Sequence, residues 1–138
     1  MPCISGKFDP QLGILVLAGV LPPGSLQQRR ANLQIRSWPA LIDTGASHTC
    51  ISQAIVNDLG LAPVGMAEVS GVHGAQSVPR FLIDLAINFG AAVFGMPNLS
   101  VTQFEIDGAA PFQILIGRDV LCMGALTISH DGHYTFCL

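Results

Sequence analysis

The residues best suited to chemistry lie in the stretch PALIDTGASHTC, positions 39–50, where Asp43 directly follows Leu41 and Ile42 and precedes Thr44, Gly45 and Ala46. A carboxylate flush against an apolar segment is costly to bury unless it is paired or shares a proton. Two carboxylates in contact do the latter, and the pair then carries a base and an acid at once. Two further stretches stand out. Gly71, Val72, His73 and Gly74 form a glycine-flanked tip, and ILIGRDVL, positions 114–121, places Gly117 and Arg118 after an apolar run.

The elements that must position these residues read as mostly β. Glycine and proline punctuate short segments, and no long amphipathic pattern occurs. Residues 12–20 and 31–36 read as strands joined by PPGSLQQRR, and Leu41–Ile42 leads into the Asp43 motif. Ile51, Ile55 and Leu59 share one face of a short helix over 52–59, with Ser52 as N-cap and Gly60 as its left-handed stop. Phe81, Ile83, Leu85, Ile87 and Phe89 alternate, which predicts a half-buried strand over 80–89. Residues 68–70 oppose it, so that 71–74 is a hairpin tip, mobile by composition or an ordinary surface turn. Strands follow at 99–106 and 112–116. The tail ALTISHDGHYTFCL reads as a hairpin turning at Asp131–Gly132.

Composition narrows the function classes. The chain has 138 residues, one domain's worth, read as a single domain over 1–138. Only 11% of its residues are charged and the net charge is −3. So few charges leave apolar surface for a partner to cover, most simply a second copy. Six Lys and Arg, with only Arg29 and Arg30 adjacent, make no phosphate-binding footprint, which argues against nucleic acid. The apolar run Gly13–Leu21 is far shorter than the roughly 20 residues that span a bilayer, so it reads as a buried strand and membrane insertion is not expected. Cysteines at 3, 50, 122 and 137 show no close pairs. Without a secretory leader they read as free thiols in a reducing, cytoplasmic setting, with Cys50 and Cys122 as small core residues. His130, His133 and Cys137 lack standard ligand spacing, so no metal site is expected.

Asp43, Thr44, Gly45 and Ala46, the glycine-rich tip at 71–74 and the late ILIGRDVL segment together resemble the retroviral-type aspartic proteases, the retropepsins, over roughly residues 12–138. The resemblance implies an all-β, closed barrel or sandwich with one or two short helices, a catalytic loop and a glycine-rich flap hairpin. It implies an endopeptidase that activates water by general acid–base chemistry and needs no cofactor. A chain with one such motif holds half of the carboxylate pair, so the family mechanism requires a homodimer with Asp43 beside its symmetry mate. Thr44 would grip the opposite loop, Gly45 would admit substrate backbone, and Ala46 would pack behind it. Residues Gly71, Val72, His73 and Gly74 would form the flap over a bound peptide or protein substrate, with Gly117 and Arg118 as structural support.

One departure from the family pattern is Ser47, which stands where viral members carry an aspartate that pairs with the late arginine. Arg118 is therefore left to Ser47, to loop carbonyls, or to Asp119 or Asp58. His48 stands where a subsite residue can lie. The phosphate loop of the sugar-kinase fold also contains an apolar-Asp-x-Gly string, but that fold needs two domains and a second loop. The remaining alternative is a dimer of the same fold that binds peptides, or serves in assembly, without cutting.

Overall fold

The computed structural model describes residues 1–28, 34–107 and 109–138, and these described residues form ten strands and two short helices. The strands are β1 (Cys3–Lys7), β2 (Leu15–Leu21), β3 (Ser37–Ile42), β4 (Cys50–Ser52), β5 (Gly65–Gly71), β6 (Gly74–Asn88), β7 (Val93–Phe104), β8 (Ile114–Ile116), β9 (Ala125–Ile128) and β10 (His133–Cys137). Helix α1 (Gln53–Leu59) follows β4, and α2 (Arg118–Leu121) follows β8.

The apolar run at Gly13–Leu21 becomes β2, with Val16, Ala18, Val20 and Leu21 buried. Strands β2, β3, β8, β4, β7 and β6 pair in that order, and β6 pairs back onto β2, which closes the barrel. The mostly β, closed-barrel class is the one the resemblance implied. Closure removes the free edges that would otherwise template aggregation. Inside lie Ile51, Ile55, Ile83, Leu85, Ile87, Ile114 and Ile116, all fully buried. Helix α1 has the expected ends: the Ser52 hydroxyl accepts from the Ile55 N–H, and Gly60 adopts the left-handed conformation.

Strand β6 departs from the half-buried reading. It begins at Gly74, and from Ile83 to Ile87 it is covered on both faces. The reason is Asp84, a fully buried carboxylate that accepts backbone N–H groups from Gly24 at 3.3 Å, Leu26 at 2.8 Å and Asn98 at 2.9 Å. These bonds hold the turn after β2 against the bulge between Ile83 and Leu85. Three donors on one carboxylate compensate its desolvation.

Two strand readings shift. Of the segment 31–36, residues 31–33 lie outside the described residues and 34–36 are not strand; the strand starts at Ser37, where pairing with β2 begins. Strand β7 begins at Val93, earlier than the predicted 99, because β6 extends far enough to pair with it. The tail hairpin forms, but its loop is His130–Gly132, one residue longer than the predicted two-residue turn, closed by Ser129 N–H donating to the His133 carbonyl at 2.9 Å.

The cysteine reading needs correction. Strand β1, in CISGK, pairs antiparallel with β10 and sets Cys3 opposite Cys137, and the two form a disulfide across 134 residues of chain. Strand β9 completes this second sheet in the order β1, β10, β9. Cys50 and Cys122 are free, but Cys122 is exposed at the end of α2, not a core residue. Among the described residues, no helix is long and apolar enough to cross a membrane.

Candidate active site

Strand β8 lies between β3 and β4, parallel to the first and antiparallel to the second. The chain leaving β3 must therefore cross the end of β8 to reach β4, and that crossing is the loop 43–49. The Asp43 N–H donates to the Ile116 carbonyl at 3.0 Å, which ties the loop's first residue to the end of β8. The Gly45 N–H donates to Asp43 Oδ1 at 2.9 Å, and the Ala46 N–H to the Asp43 carbonyl at 3.2 Å. A Cβ on Gly45 would stand 3.2 Å from Asp43 Oδ1, tighter than most such contacts, so glycine lets the amide approach the carboxylate. Asp43 is half-buried, while Thr44 and Gly45 are exposed and Ala46 is half-buried.

The segment after β8 grips this loop from beneath. Gly117 is buried, and a Cβ there would fall 2.6 Å from the His48 carbonyl carbon, so only glycine fits under the loop backbone. Arg118 Nη1 donates to the carbonyls of Thr44 at 2.9 Å and Gly45 at 3.2 Å, and the Arg118 N–H donates to the Ala46 carbonyl at 2.9 Å. Of the partners the sequence left open, Arg118 takes the loop carbonyls. Asp58 instead pairs with Arg36.

Asp119 has a role that the sequence reading did not find. Its carboxylate accepts from the Thr49 N–H at 2.9 Å and from the Thr49 hydroxyl at 2.8 Å. That hydroxyl also accepts from the Gly117 N–H at 3.2 Å. Thr49 is fully buried, so its polar atoms need these partners. The available signal was an acid immediately after Arg118. Its partner, 70 residues away, could not be read without the fold.

The third stretch becomes the tip of the hairpin β5–β6. Gly71 pairs with Gly74 and Val72–His73 makes the turn, with Gly74 at φ +101°. Between this hairpin and β4 and β7 lies a cavity of about 450 Å³. The hairpin forms one wall through Val69, the tip residues and Gln76 to Pro79; Cys50, Thr102, Gln103, Phe104 and Glu105 form the other. Burial pushes the Cys50 thiol above its ordinary range, against the opposing effect of its hydrogen bond with Thr102. The cavity wall at 102–105 is a second feature the sequence reading missed. His48 is exposed and does not line it. Among the described residues, no group of three or more His, Cys, Asp or Glu is placed to hold a metal ion.

Comparison with known proteins bears on this arrangement. Residues 32–120 match the family described as aspartyl protease, a span that contains the loop, the hairpin and most of the Gly117–Leu121 segment. A retropepsin-like aspartic protease from Rickettsia conorii superposes with a TM-score of 0.63 at 13% identity, over 97% of this chain and 89% of that one. The EIAV protease in complex with the inhibitor HBY-793 superposes with a TM-score of 0.51 at 16% identity, over 86% of this chain and 93% of that one. None of the curated proteins matches the sequence.

Proposed function

The chain belongs to the aspartyl protease family and has a retropepsin-like fold, and from that premise we propose that it is an endopeptidase working as a homodimer. The observation that carries this reading is the clamped loop. It holds the Asp43 carboxylate by the Gly45 amide and leaves Thr44 exposed beside it. Two such loops meeting across a two-fold axis bring two Asp43 carboxylates together, and the pair shares one proton. The ionised partner takes a proton from a water molecule as that water attacks the peptide carbonyl. The protonated partner donates to the carbonyl oxygen. The tetrahedral intermediate then collapses: the C–N bond breaks as the carboxyl that took the water's proton gives it to the leaving amine, and a hydroxyl proton of the intermediate returns to the other carboxylate. Thr44 grips the opposite loop, Ala46 packs behind Gly45, and Gly117 and Arg118 hold the loop in shape. The hairpin tip at Gly71, Val72, His73 and Gly74 is the flap, and an extended peptide beneath it pairs as an added strand. The low charge content is what a chain with a sizeable dimer face needs.

The test is peptide cleavage by wild type and by Asp43→Asn across acid to neutral pH, with dilution at each point. Wild type should show a bell-shaped profile that belongs to the pair and not to either residue. Its specific activity should fall as the dimer dissociates. Asp43→Asn should lose at least about 10²-fold in rate while folding and dimerising normally. Cleavage by the variant near the wild-type rate would overturn the assignment. Peptide binding with no cleavage by either protein would point to the silent binding module.

A further inference from the structure

We propose that the cavity beneath the β5–β6 hairpin is a subsite for a basic side chain of the substrate, with Glu105 as the residue that selects it. The proposal rests on the protease reading and deepens it by naming a substrate class. Among the described residues Glu105 is the only carboxylate that lines the cavity, at the end of the wall running from Thr102. Among the described residues it has no ion pair: the ion pairs are Arg36 with Asp58 and His133 with Asp131. Among the described residues no Lys or Arg lines the cavity, Arg118 donating to the carbonyls of Thr44 and Gly45 and Arg80 to the Ser100 hydroxyl, while His73 lies on the opposite, hairpin wall.

The rest of the lining suits the same ligand. Val69, Val72, Val78, Pro79 and Phe104 offer an apolar path, and Val72 is almost wholly exposed until something packs against it. A lysine or arginine has the matching build, an apolar stem with a cation at its tip. The stem lies along the valines while the head reaches Glu105. An acidic side chain would meet a like charge there, and a short apolar one would leave Glu105 unpaired. Gln103, the polar neighbour on the same wall, is held by its side-chain N–H donating to Gln53 and carries no charge, so Glu105 is the stronger partner for the head group.

The test uses fluorogenic octapeptides in which each position in turn is Lys, norleucine or Glu, assayed at about pH 6, above the ordinary glutamate range. In wild type, one position should favour Lys over norleucine by about three- to tenfold in kcat/KM, as expected of a partly exposed charge pair. Glu105→Gln should bring that ratio close to one, and Glu105→Lys should turn the preference towards Glu at the same position. The same Lys-to-norleucine ratio in wild type and Glu105→Gln at every position would overturn the proposal. Matched peptides with a reduced, uncleavable central bond, bound to Asp43→Asn and read by fluorescence anisotropy, keep the subsite measurable if the hydrolase reading fails. A Lys preference abolished by adding Glu105→Gln would support the subsite, and its absence would sink it.

Discussion

Two of the β-hairpins closed by short glycine-bearing turns, β5–β6 and β9–β10, have sharply different surroundings. In β5–β6 the residues from Glu68 to Ser77 are all exposed, and Val72 at the tip is 99% exposed. In β9–β10, Tyr134 and Phe136 face the core, with Phe136 fully buried against Phe89 at a centroid distance of 5.8 Å. The loop of that hairpin is tied to the body by the Phe8 N–H, which donates to the Gly132 carbonyl at 2.9 Å, and its second strand is stapled to β1 by the disulfide. Turn chemistry therefore makes a hairpin without deciding whether it moves. Burial and cross-links decide that, and regions with few buried contacts open at little cost.

Side-chain truncation should separate the two most widely. Phe136→Ala should cost about 3–5 kcal/mol of stability, as for other buried phenylalanines. Val72→Ala should fall within about 0.5 kcal/mol of wild type. Denaturant titration of both variants measures the gap, and equal losses would break the comparison.

The disulfide comes next. Replacing Cys3 and Cys137 together by Ser removes a cross-link between positions 134 residues apart. The expected loss is about 2–5 kcal/mol, towards the upper end if the unfolded chain gains the full loop entropy. Hydrogen exchange should quicken in β1 and leave residues 71–74 as they were. An unaltered melting temperature would mean that the β1–β10 pairing holds without its staple.

A smaller effect on stability, with a larger one on turnover, is expected from Gly71→Val. Nothing lies within 4 Å of a Cβ at Gly71, so the folded state should tolerate the substitution to within about 0.5 kcal/mol. A β-branched residue stiffens the tip, and if opening and closing limit turnover, kcat should fall several-fold. Unchanged kinetics would show that the hairpin does not gate the site.

The smallest effect belongs to the other turn. The Ser129 hydroxyl and then His133 hold the Asp131 carboxyl below its ordinary value. A depressed acid adds stability above its unfolded titration range and loses it as pH falls through the folded one. Wild type should therefore lose its slight advantage over Ser129→Ala as pH is lowered from neutral to about 3. A difference constant over that range would show that the hydroxyl does not act through the carboxylate.

What was legible in the sequence was local. Alternation in Phe81–Ile87, the caps of α1 and the Asp43 motif need only near neighbours to be read. Strand β1 was not legible, because CISGK turns a single large apolar side chain, Ile4, towards the core and is a strand only by pairing with β10. The disulfide escaped for the same reason: the register, not the spacing of the cysteines, sets Cys3 against Cys137. Val93–Asn98 contains Gly95, Pro97 and Asn98, which locally argue against a strand, yet the long β6 recruits it. At the candidate site, the loop was visible and the Asp119–Thr49 part of its support was not, since those residues meet only when β8 inserts between β3 and β4.

That insertion has a consequence for biosynthesis. A ribosome releases Asp43 and its neighbours long before it adds Gly117, Arg118 and Asp119, so the nascent chain carries the motif without the contacts that shape it. A fragment ending ahead of β8 would lack the Ile116 carbonyl under Asp43, the guanidinium under Thr44 and Gly45, and the carboxylate that holds Thr49. The loop acquires its form only when the last quarter of the chain is in place, so the shape of the candidate site is among the last local structures that synthesis can complete.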